Sequence, residues 1–350
     1  MKNNETLVIL SPGFAANEAD TSCLPSQQLF IKEINKNFPS IEIIVLAFQY
    51  PFFKSEYEWK KNKVISFAGR GKKKLFKLLL WIKVWRKLRK IKSEKNIIGL
   101  LSFWCGETAF IGSWFGRKNG IKHFCWISGQ DAKMNNSYVK RIQPKAEELI
   151  AMSDFLADEF YQNHLIHPAH IVPIGISPEM FLNANEKKDI DVLGAGSLIA
   201  LKRYNVFISV ISKVKDDFLK GIICGDGPEK NELKNLIEAH DLENNLSLIG
   251  ELKHQQVIDM MMRTKIFLHT SSYEGFGAVC IEALAAAAHV ISFTKPMKTD
   301  IDHWHIVKNE TEMVQKLLEL LNDHEIIYEP VVPYLMSESA KQMMLLFLNK

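Results

Sequence analysis

Short apolar runs alternating with stretches of helical spacing set the plan of this chain. In the first half, Leu7-Val-Ile-Leu10, Ile41-Glu-Ile-Ile-Val-Leu-Ala47, Asn96-Ile-Ile-Gly-Leu-Leu-Ser-Phe103 and Ile121-Lys-His-Phe-Cys-Trp-Ile127 each read as a buried strand. Ser26 to Asn37 has helical spacing between the first two. In the second half, Val192-Leu-Gly-Ala-Gly196, Gly221-Ile-Ile-Cys224, Leu246-Ser-Leu-Ile-Gly250 and Ile266-Phe-Leu-His-Thr270 read as strands with their turns, and a further strand ends at Ile291. Leu233, Leu236 and Ile237 give one helix its apolar face, with Pro228 near its first position. Met313, Leu317 and Leu320 line another over Asn309–Asn322, where Asn309 and Glu312 form a capping-box pattern. Ser337 to Asn349 is a last amphipathic helix. Strands alternating with helices predict an α/β fold built on parallel, doubly wound sheets. Residues 177–188 are polar and strand-free, and 350 residues suit two domains, so the linker is placed there.

Charge changes the picture locally. The net +4 hides an asymmetry: residues 1–180 carry 26 Lys+Arg against 16 Asp+Glu, and the remainder 18 against 24. The five cysteines, Cys23, Cys105, Cys125, Cys224 and Cys280, are odd in number and contain no CxxC, which fits a reducing compartment without a disulfide or metal framework. The start of the chain leads straight into a strand with no signal-peptide pattern, and no run reaches the ~18 apolar residues of a membrane span. These features predict a cytoplasmic protein.

The stretch with the most chemistry is Tyr273-Glu-Gly-Phe-Gly-Ala-Val-Cys-Ile-Glu282. It joins a buried strand to a small-faced helix. Gly275 and Gly277 allow close backbone approach to a ligand, and a helix N-terminus follows that suits an anion. Glu274 in the turn and Glu282 inside the helix can accept hydrogen bonds from sugar hydroxyls. A strand-turn-helix with two solvated glutamates is the other reading of the same residues.

Glu-Gly-Phe-Gly followed by Glu eight positions after the first glutamate resembles the donor-site signature of the retaining group-1 (family-four) glycosyltransferases of the GT-B fold. Further pieces fall in the family's order. Gly196-Ser-Leu-Ile-Ala-Leu-Lys202 resembles the loop whose arginine and lysine flank the donor diphosphate, although Ser197 stands where the arginine usually is and Arg203 is adjacent. Gly225-Asp-Gly-Pro228 resembles a loop near the nucleotide. Ser11-Pro-Gly13 resembles the glycine loop facing the donor phosphates, and Ser128-Gly-Gln-Asp131 resembles a His-Gly-any-Asp segment in which Ser128 replaces the histidine. Glu148–Ser153 and Ile171–Ile176 resemble the strands that close the first domain. The likeness is good over 190–292, diffuse over 1–176 and poor from 293 onward.

The resemblance implies two Rossmann-like domains, 1–176 on the acceptor side and 189–335 binding the nucleotide-sugar, with a cleft between them and a C-terminal helix at 336–350 crossing back onto the first. It implies transfer of a sugar from a nucleotide-sugar to an acceptor hydroxyl with retained configuration, in synthesis of a cell-surface glycan or glycolipid. Glu274 and Lys202 would be catalytic: Glu274 would hold donor-sugar hydroxyls and Lys202 the leaving diphosphate. Gly13, Ser197, Arg203, Gly225, Gly227, Gly275, Phe276, Gly277 and Glu282 would line the donor, with Glu282 on the ribose, and Asp131 would face the acceptor. The nucleotide-sugar is a substrate, and no cofactor or metal is implied. Asp189-Ile-Asp191 and Asp300-Ile-Asp302 match a metal-binding DxD pattern that is common by chance; His164, His167, His170, His303 and His305 read as solvated positions. Ser128, Ser197 and a shortened C-terminal region are equally the marks of a non-catalytic nucleotide-sugar-binding or regulatory protein.

One stretch is not absorbed by that resemblance. Arg70 to Lys92 holds 11 Lys+Arg and no acid. Leu75, Leu78, Leu79, Ile82, Trp85 and Leu88 recur at helical spacing, and Trp81 and Trp85 lie one turn apart. A basic face opposite an aromatic-aliphatic face marks an interfacial helix, so an anionic membrane surface, with a lipid-linked acceptor, is expected. An ordinary surface helix packed on the sheet explains the same spacing. No nucleic-acid module accompanies the charge.

Overall fold

The computed structural model describes residues 5–69, 74–181, 187–214 and 218–349, except for the side chains of residues 74 and 75. The chain divides into two compact units, Met1–Ile174 with Met336–Lys350, and Gly175–Leu335.

The first unit is an eight-stranded sheet. Its strands are β1 (Glu5–Gly13), β2 (Glu42–Tyr50), β3 (Ser55–Trp59), β4 (Asn62–Ser66), β5 (Asn96–Phe103), β6 (His123–Ile127), β7 (Leu149–Ala151) and β8 (His170–Ile171), in spatial order β3-β4-β2-β1-β5-β6-β7-β8. All neighbours are parallel except the β3–β4 hairpin at one edge, which the alternation of Ser55–Trp59 left unread in the sequence. The central strands β1, β2 and β5 are buried on both faces, which is why they read as near-continuous apolar runs. Helices α1 (Pro25–Asn37), α2 (Lys74–Glu94), α3 (Glu107–Asn119), α4 (Ser137–Ile142) and α5 (Asp154–His164) connect them. Ser153 caps α5 by accepting from Leu156 N at 3.0 Å, and Gly120 ends α3 with φ +66°, the left-handed turn that favours glycine.

Helix α2 departs from the sequence reading. Its sheet-facing side is Leu80, Val84, Leu88 and Ile91, all buried. Of the apolar stripe read in the sequence, Leu78, Leu79 and Ile82 point outward, whereas Leu88 is buried on the sheet. The helix therefore has two apolar faces, of which the sheet covers one. Arg70, Lys72 and Lys73, and the side chains of Lys74 and Leu75, lie outside the described residues.

The second unit is a six-stranded, all-parallel sheet. Strands β9 (Ile190–Ala195), β10 (Gly221–Cys224), β11 (Leu246–Gly250), β12 (Thr264–His269), β13 (His289–Ser292) and β14 (Trp304–Ile306) lie in the order β11-β10-β9-β12-β13-β14. With respect to chain order within the unit this is third-second-first-fourth-fifth-sixth, the doubly wound arrangement. Helices α6 (Tyr204–Val214), α7 (Lys230–Ala239), α8 (His254–Met262), α9 (Ala278–Ala285) and α10 (Glu310–Asn322) cover it. Phe207, Ile211, Leu317 and Met313 close the core on one face. Asn309 caps α10, its side chain accepting from Glu312 N at 3.0 Å. Pro228 lies just outside α7, whose first helical residue is Lys230.

A last helix, α11 (Met336–Leu348), belongs with the first unit. It packs along α1, and Phe347 meets Phe124 edge-on with centroids 5.0 Å apart. A Cβ on Gly99 would lie 2.2 Å from the Phe347 ring, so β5 needs a glycine there to admit α11.

Candidate functional site

In an open α/β sheet a ligand binds beyond the carboxyl ends of the strands, where the strand order reverses. In the second unit that point lies between β9 and β12, which pair through Val192 and Ile266. The loop after β9 carries residues 196–203 and the loop after β12 carries 270–277. They are tied together there: Ser272 N donates to Leu201 O at 3.0 Å and Thr270 Oγ1 to Lys202 O at 2.8 Å.

Two expected site residues meet across these loops. Lys202 Nζ lies 2.6 Å from Glu274 Oε2, and both side chains keep about a fifth of their surface exposed. Beneath them His269, the last residue of β12, brings Nε2 to 3.5 Å from the same oxygen and to 3.0 Å from Ser271 Oγ. Burial pushes the Glu274 carboxyl up, but the His269 hydrogen bond and the Lys202 charge outweigh it and hold the group down at about 2. Burial lowers the His269 imidazole, so the ring is neutral and its proton belongs on Nε2, facing the carboxylate. The result is a permanently ionised acceptor beside a cation, both reachable from solvent.

Helix α9 starts at Gly277, whose φ of +79° favours glycine. Its N-terminus faces the same end of the sheet as Glu274, whose Cγ would be 3.6 Å from a Cβ on Gly277. Gly275 and Phe276 are buried within this turn, and Phe276 packs against Tyr334 with centroids 5.9 Å apart. One turn into α9, Glu282 Oε1 meets His254 Nε2 of α8 at 2.8 Å. Both side chains are largely buried, so Glu282 is a second fixed acceptor.

The glycines of the β9 and β10 loops are spacers between backbones. A Cβ on Gly225, where φ is +155°, would lie 1.9 Å from Gly196 O, and one on Gly227 would lie 2.4 Å from Leu198 O. Leu198 N donates to Asp226 O at 2.9 Å across this contact. Ser197 sits exposed on the same loop. Arg203 takes a left-handed conformation, φ +51°, and lays its guanidinium 5.4 Å over the Phe293 ring. Lys202 and Arg203 thus point to different partners.

In the first unit Gly13 ends β1, with Tyr50 Cβ 3.2 Å and Cys23 Sγ 3.4 Å from where its own Cβ would be. Asp131 is buried in the turn after β6, its Oδ2 accepting from Ser128 N at 2.8 Å and Ser128 Oγ at 3.3 Å. Burial raises its carboxyl to about 6 although those hydrogen bonds oppose the rise. Asp131 therefore shapes the loop that Ser128 opens.

Three of the four aspartates that matched DxD are engaged in ion pairs. Asp189 binds Arg263, at 2.8 and 2.5 Å, and Asp191 binds Lys265 at 2.8 Å. Asp300 is held by Lys295 at 2.5 Å. Among the described residues no group of three or more His, Cys, Asp or Glu is arranged to hold a metal ion. Of the histidines read as solvated, His167 is exposed while His164, His170, His303 and His305 are partly buried. His303 and His305 stack on buried His289, with centroids 4.3 and 5.4 Å away, and His289 Nδ1 lies 3.1 Å from His305 Nε2. His164 packs on Phe160 with centroids 4.7 Å apart.

Sequence reasoning missed His269, Ser271 and His254. His269 was hidden as one polar residue in a buried strand, its signal being its place at the strand's carboxyl end. His254 has no local signal, because only the fold brings α8 to Glu282.

Comparisons with known proteins bear on the family and the fold. Residues 177–327 match the family described as "Glycosyl transferases group 1". The chain is 26% identical over 206 residues to the phosphatidylinositol N-acetylglucosaminyltransferase gpi3 subunit of Schizosaccharomyces pombe, a match covering 55% of this chain and 44% of that protein. It is 23% identical over 311 residues to an uncharacterized glycosyltransferase of Methanocaldococcus jannaschii, covering 85% of each. The first of these relatives is thus spanned over less than half its length. In fold, the chain is similar to Anabaena HepE in complex with UDP and glucose, with a TM-score of 0.67 at 14% identity, over 97% of this chain and 94% of that one.

Proposed function

Because residues 177–327 match the group 1 glycosyl transferases, we propose that the chain transfers a sugar, with retained configuration, from a nucleotide-sugar to an acceptor hydroxyl. The observation that carries this is the Lys202–Glu274 pair at the reversal point of the second sheet. A nucleoside diphosphate seated there takes Lys202 as its phosphate partner, so the charge that develops on the leaving diphosphate meets a preplaced ammonium. Glu274, released from Lys202 and still ionised, accepts from the hydroxyls of the donor sugar. Gly275 and Gly277 let the backbone and the α9 N-terminus approach the phosphates. Glu282, fixed by His254, accepts from the ribose. Gly225 and Gly227 hold the β10 loop against Gly196 so that this end of the sheet keeps its shape. In this reading Gly13 is assigned to the donor diphosphate and Asp131 to the acceptor. The reaction rests on positioning and charge, with no covalent intermediate assigned to this chain.

The acceptor in this reading is lipid-linked and belongs to a cell-surface glycan or glycolipid. Support comes from the basic, tryptophan-bearing α2, which suits an anionic membrane surface, and from the phosphatidylinositol in the name of the Schizosaccharomyces pombe relative. Among the described residues no helix is long and apolar enough to cross a membrane. Five unpaired cysteines favour the cytoplasmic face.

The test has two stages. Thermal-shift titration with UDP, GDP and CDP should raise the unfolding midpoint for at least one of them, since a ligand of the folded state stabilises by mass action. UDP is the first probe because of the HepE complex. Release of free nucleotide from its sugar conjugate should then depend on a membrane-extract acceptor. A diphosphate that binds with no acceptor-dependent release marks a non-catalytic binding protein; no binding of any of the three rejects the donor site.

A further inference from the structure

Helices α2 and α3 run side by side in the same direction. Lys77 pairs with Glu107 at 2.6 Å near their starts, Trp81 meets Phe110 and Trp85 meets Phe115 along their length, and Lys92 reaches Asn119 at 2.7 Å near their ends. Between them opens a groove of about 690 Å³. Its apolar end is formed by Leu78, Trp81, Ile82, Phe110 and Trp114. The other end is formed by Arg86, Arg89, Arg117 and Lys118. Because the helices are parallel, their apolar halves coincide and their basic halves coincide. The groove is amphiphilic along its length.

Core packing does not account for this. The sheet-facing side of α2 is complete without Leu78, Leu79 and Ile82, which are 52%, 50% and 40% exposed, as Trp114 is 56% exposed. A contiguous apolar face of this kind on a domain surface marks a binding site. Nor do the cations all have partners. Arg117 is taken by Glu148 at 2.7 Å, but among the described residues Arg86, Arg89 and Lys118 have no acidic partner. Lys118 lies 5.9 Å over the Trp85 ring. The residues lining the groove include no acid. From Leu78 to Arg89 the groove runs about 16 Å along the helix, at the rise of an α-helix. That is roughly half the hydrocarbon thickness of a bilayer, the reach of one leaflet's chain.

We propose that the α2–α3 groove is a binding site for an anionic phospholipid of the membrane, its acyl chain along Leu78, Ile82 and Trp114 and its phosphate among Arg86, Arg89 and Lys118. The site seats the protein on the leaflet and selects for negative charge. It deepens the membrane-facing part of the function proposed above and needs none of its chemistry.

The full chain is tested with vesicles and with a monomeric probe. It should co-sediment with phosphatidylglycerol–phosphatidylcholine vesicles at low salt, and far less with phosphatidylcholine alone or at high salt. Decyl phosphate below its micelle concentration should bind saturably and one-to-one, with a blue shift of tryptophan emission, while decanol and inorganic phosphate bind at least about tenfold more weakly. Ile82→Asn with Trp114→Ser, both at exposed positions, should abolish both kinds of binding. Arg86→Gln with Arg89→Gln should remove the preference for the phosphate. The UDP-induced thermal shift, measured on the same samples, should survive in every variant, which separates failure here from failure of the donor site. The proposal is overturned if decyl phosphate shows no saturable binding, or if the Ile82/Trp114 variant binds vesicles as the parent does. It is also overturned if the parent forms a concentration-dependent dimer that shields Trp114 and ignores both probes, since a second copy then occupies the groove.

Discussion

Lys202 Nζ and Glu274 Oε2 are 2.6 Å apart, yet they come from loops after different strands, 72 residues apart in the chain. The pair links folding to pH. The carboxyl is held at about 2, below the ordinary 4.5, so its stabilising contribution is complete above pH 4.5 and is lost as the pH falls toward 2. The shift corresponds to roughly 3 kcal/mol. Glu274→Gln should therefore flatten the acid limb: between pH 6 and pH 3, urea unfolding of the parent should lose more free energy than that of the variant. Parallel loss in the two proteins would show that another carboxylate sets the limb.

The two glutamates should separate kinetically. Glu274→Ala should lower acceptor-dependent turnover by about a hundredfold, with little change in affinity for bare UDP, because UDP lacks the transferred sugar. Glu282→Ala should weaken UDP itself, since the partner proposed for it is the UDP ribose. Calorimetric titration with UDP beside turnover assays reads both; equal effects on UDP from the two variants would dismiss the division of labour.

Arg203 stacks on Phe293 and so is not poised to replace the arginine that Ser197 lacks. Arg203→Ala should leave UDP affinity within about threefold of the parent, while Ser197→Arg should tighten it by adding a charge on an exposed position of the same loop. A large loss in Arg203→Ala would mean that its side chain moves to the phosphates on binding.

Gly225 has no room for a methyl group. Gly225→Ala would press a Cβ against Gly196 O in a φ region unsuited to it, and should destabilise by more than about 2 kcal/mol. Gly120→Ala, also at positive φ but with no atom within 4 Å of its Cβ, should cost only about 1 kcal/mol. Chemical denaturation of the two variants gives the comparison; equal losses would leave the backbone contact without weight.

The stacked histidines add a second pH limb. Burial and the neighbouring His289 hold His305 at about 4, and burial lowers His289 too. Between the ordinary 6.5 and 4 the unfolded chain binds more protons, so stability falls as the pH drops through that window. His305→Gln should reduce the slope of melting temperature against pH there, and an unchanged slope would assign it to other groups.

Most strands were legible because parallel sheets bury both faces, and Asn96–Phe103 shows it: from Ile97 to Leu101 the run has no polar side chain. Glu274 and Glu282 were singled out by their place around a glycine-bearing strand-to-helix turn together with its family resemblance, since the turn alone is equally a strand-turn-helix with two solvated glutamates. Three things were not. The β3–β4 hairpin alternates polar and apolar residues too briefly to outweigh its surroundings. The burial of α2 was left open between a membrane-facing and a sheet-packed stripe, because apolar residues occur on two of its faces and periodicity alone does not say which one meets the sheet. The pairings Lys202–Glu274 and His254–Glu282 depend on contacts 72 and 28 residues apart, which no local pattern encodes.

The placement of α11 bears on the order in which the molecule is made. Residues 175–335 form their own unit, so the second sheet is an insert within the chain of the first. A growing polypeptide emerges with β5 complete and its Gly99 gap open, and Phe347 arrives only after the entire second unit has been synthesised. The first sheet thus leaves the ribosome with an uncovered apolar strip, while the second can close as soon as its own residues are out. The half of the protein translated first is the half that finishes last.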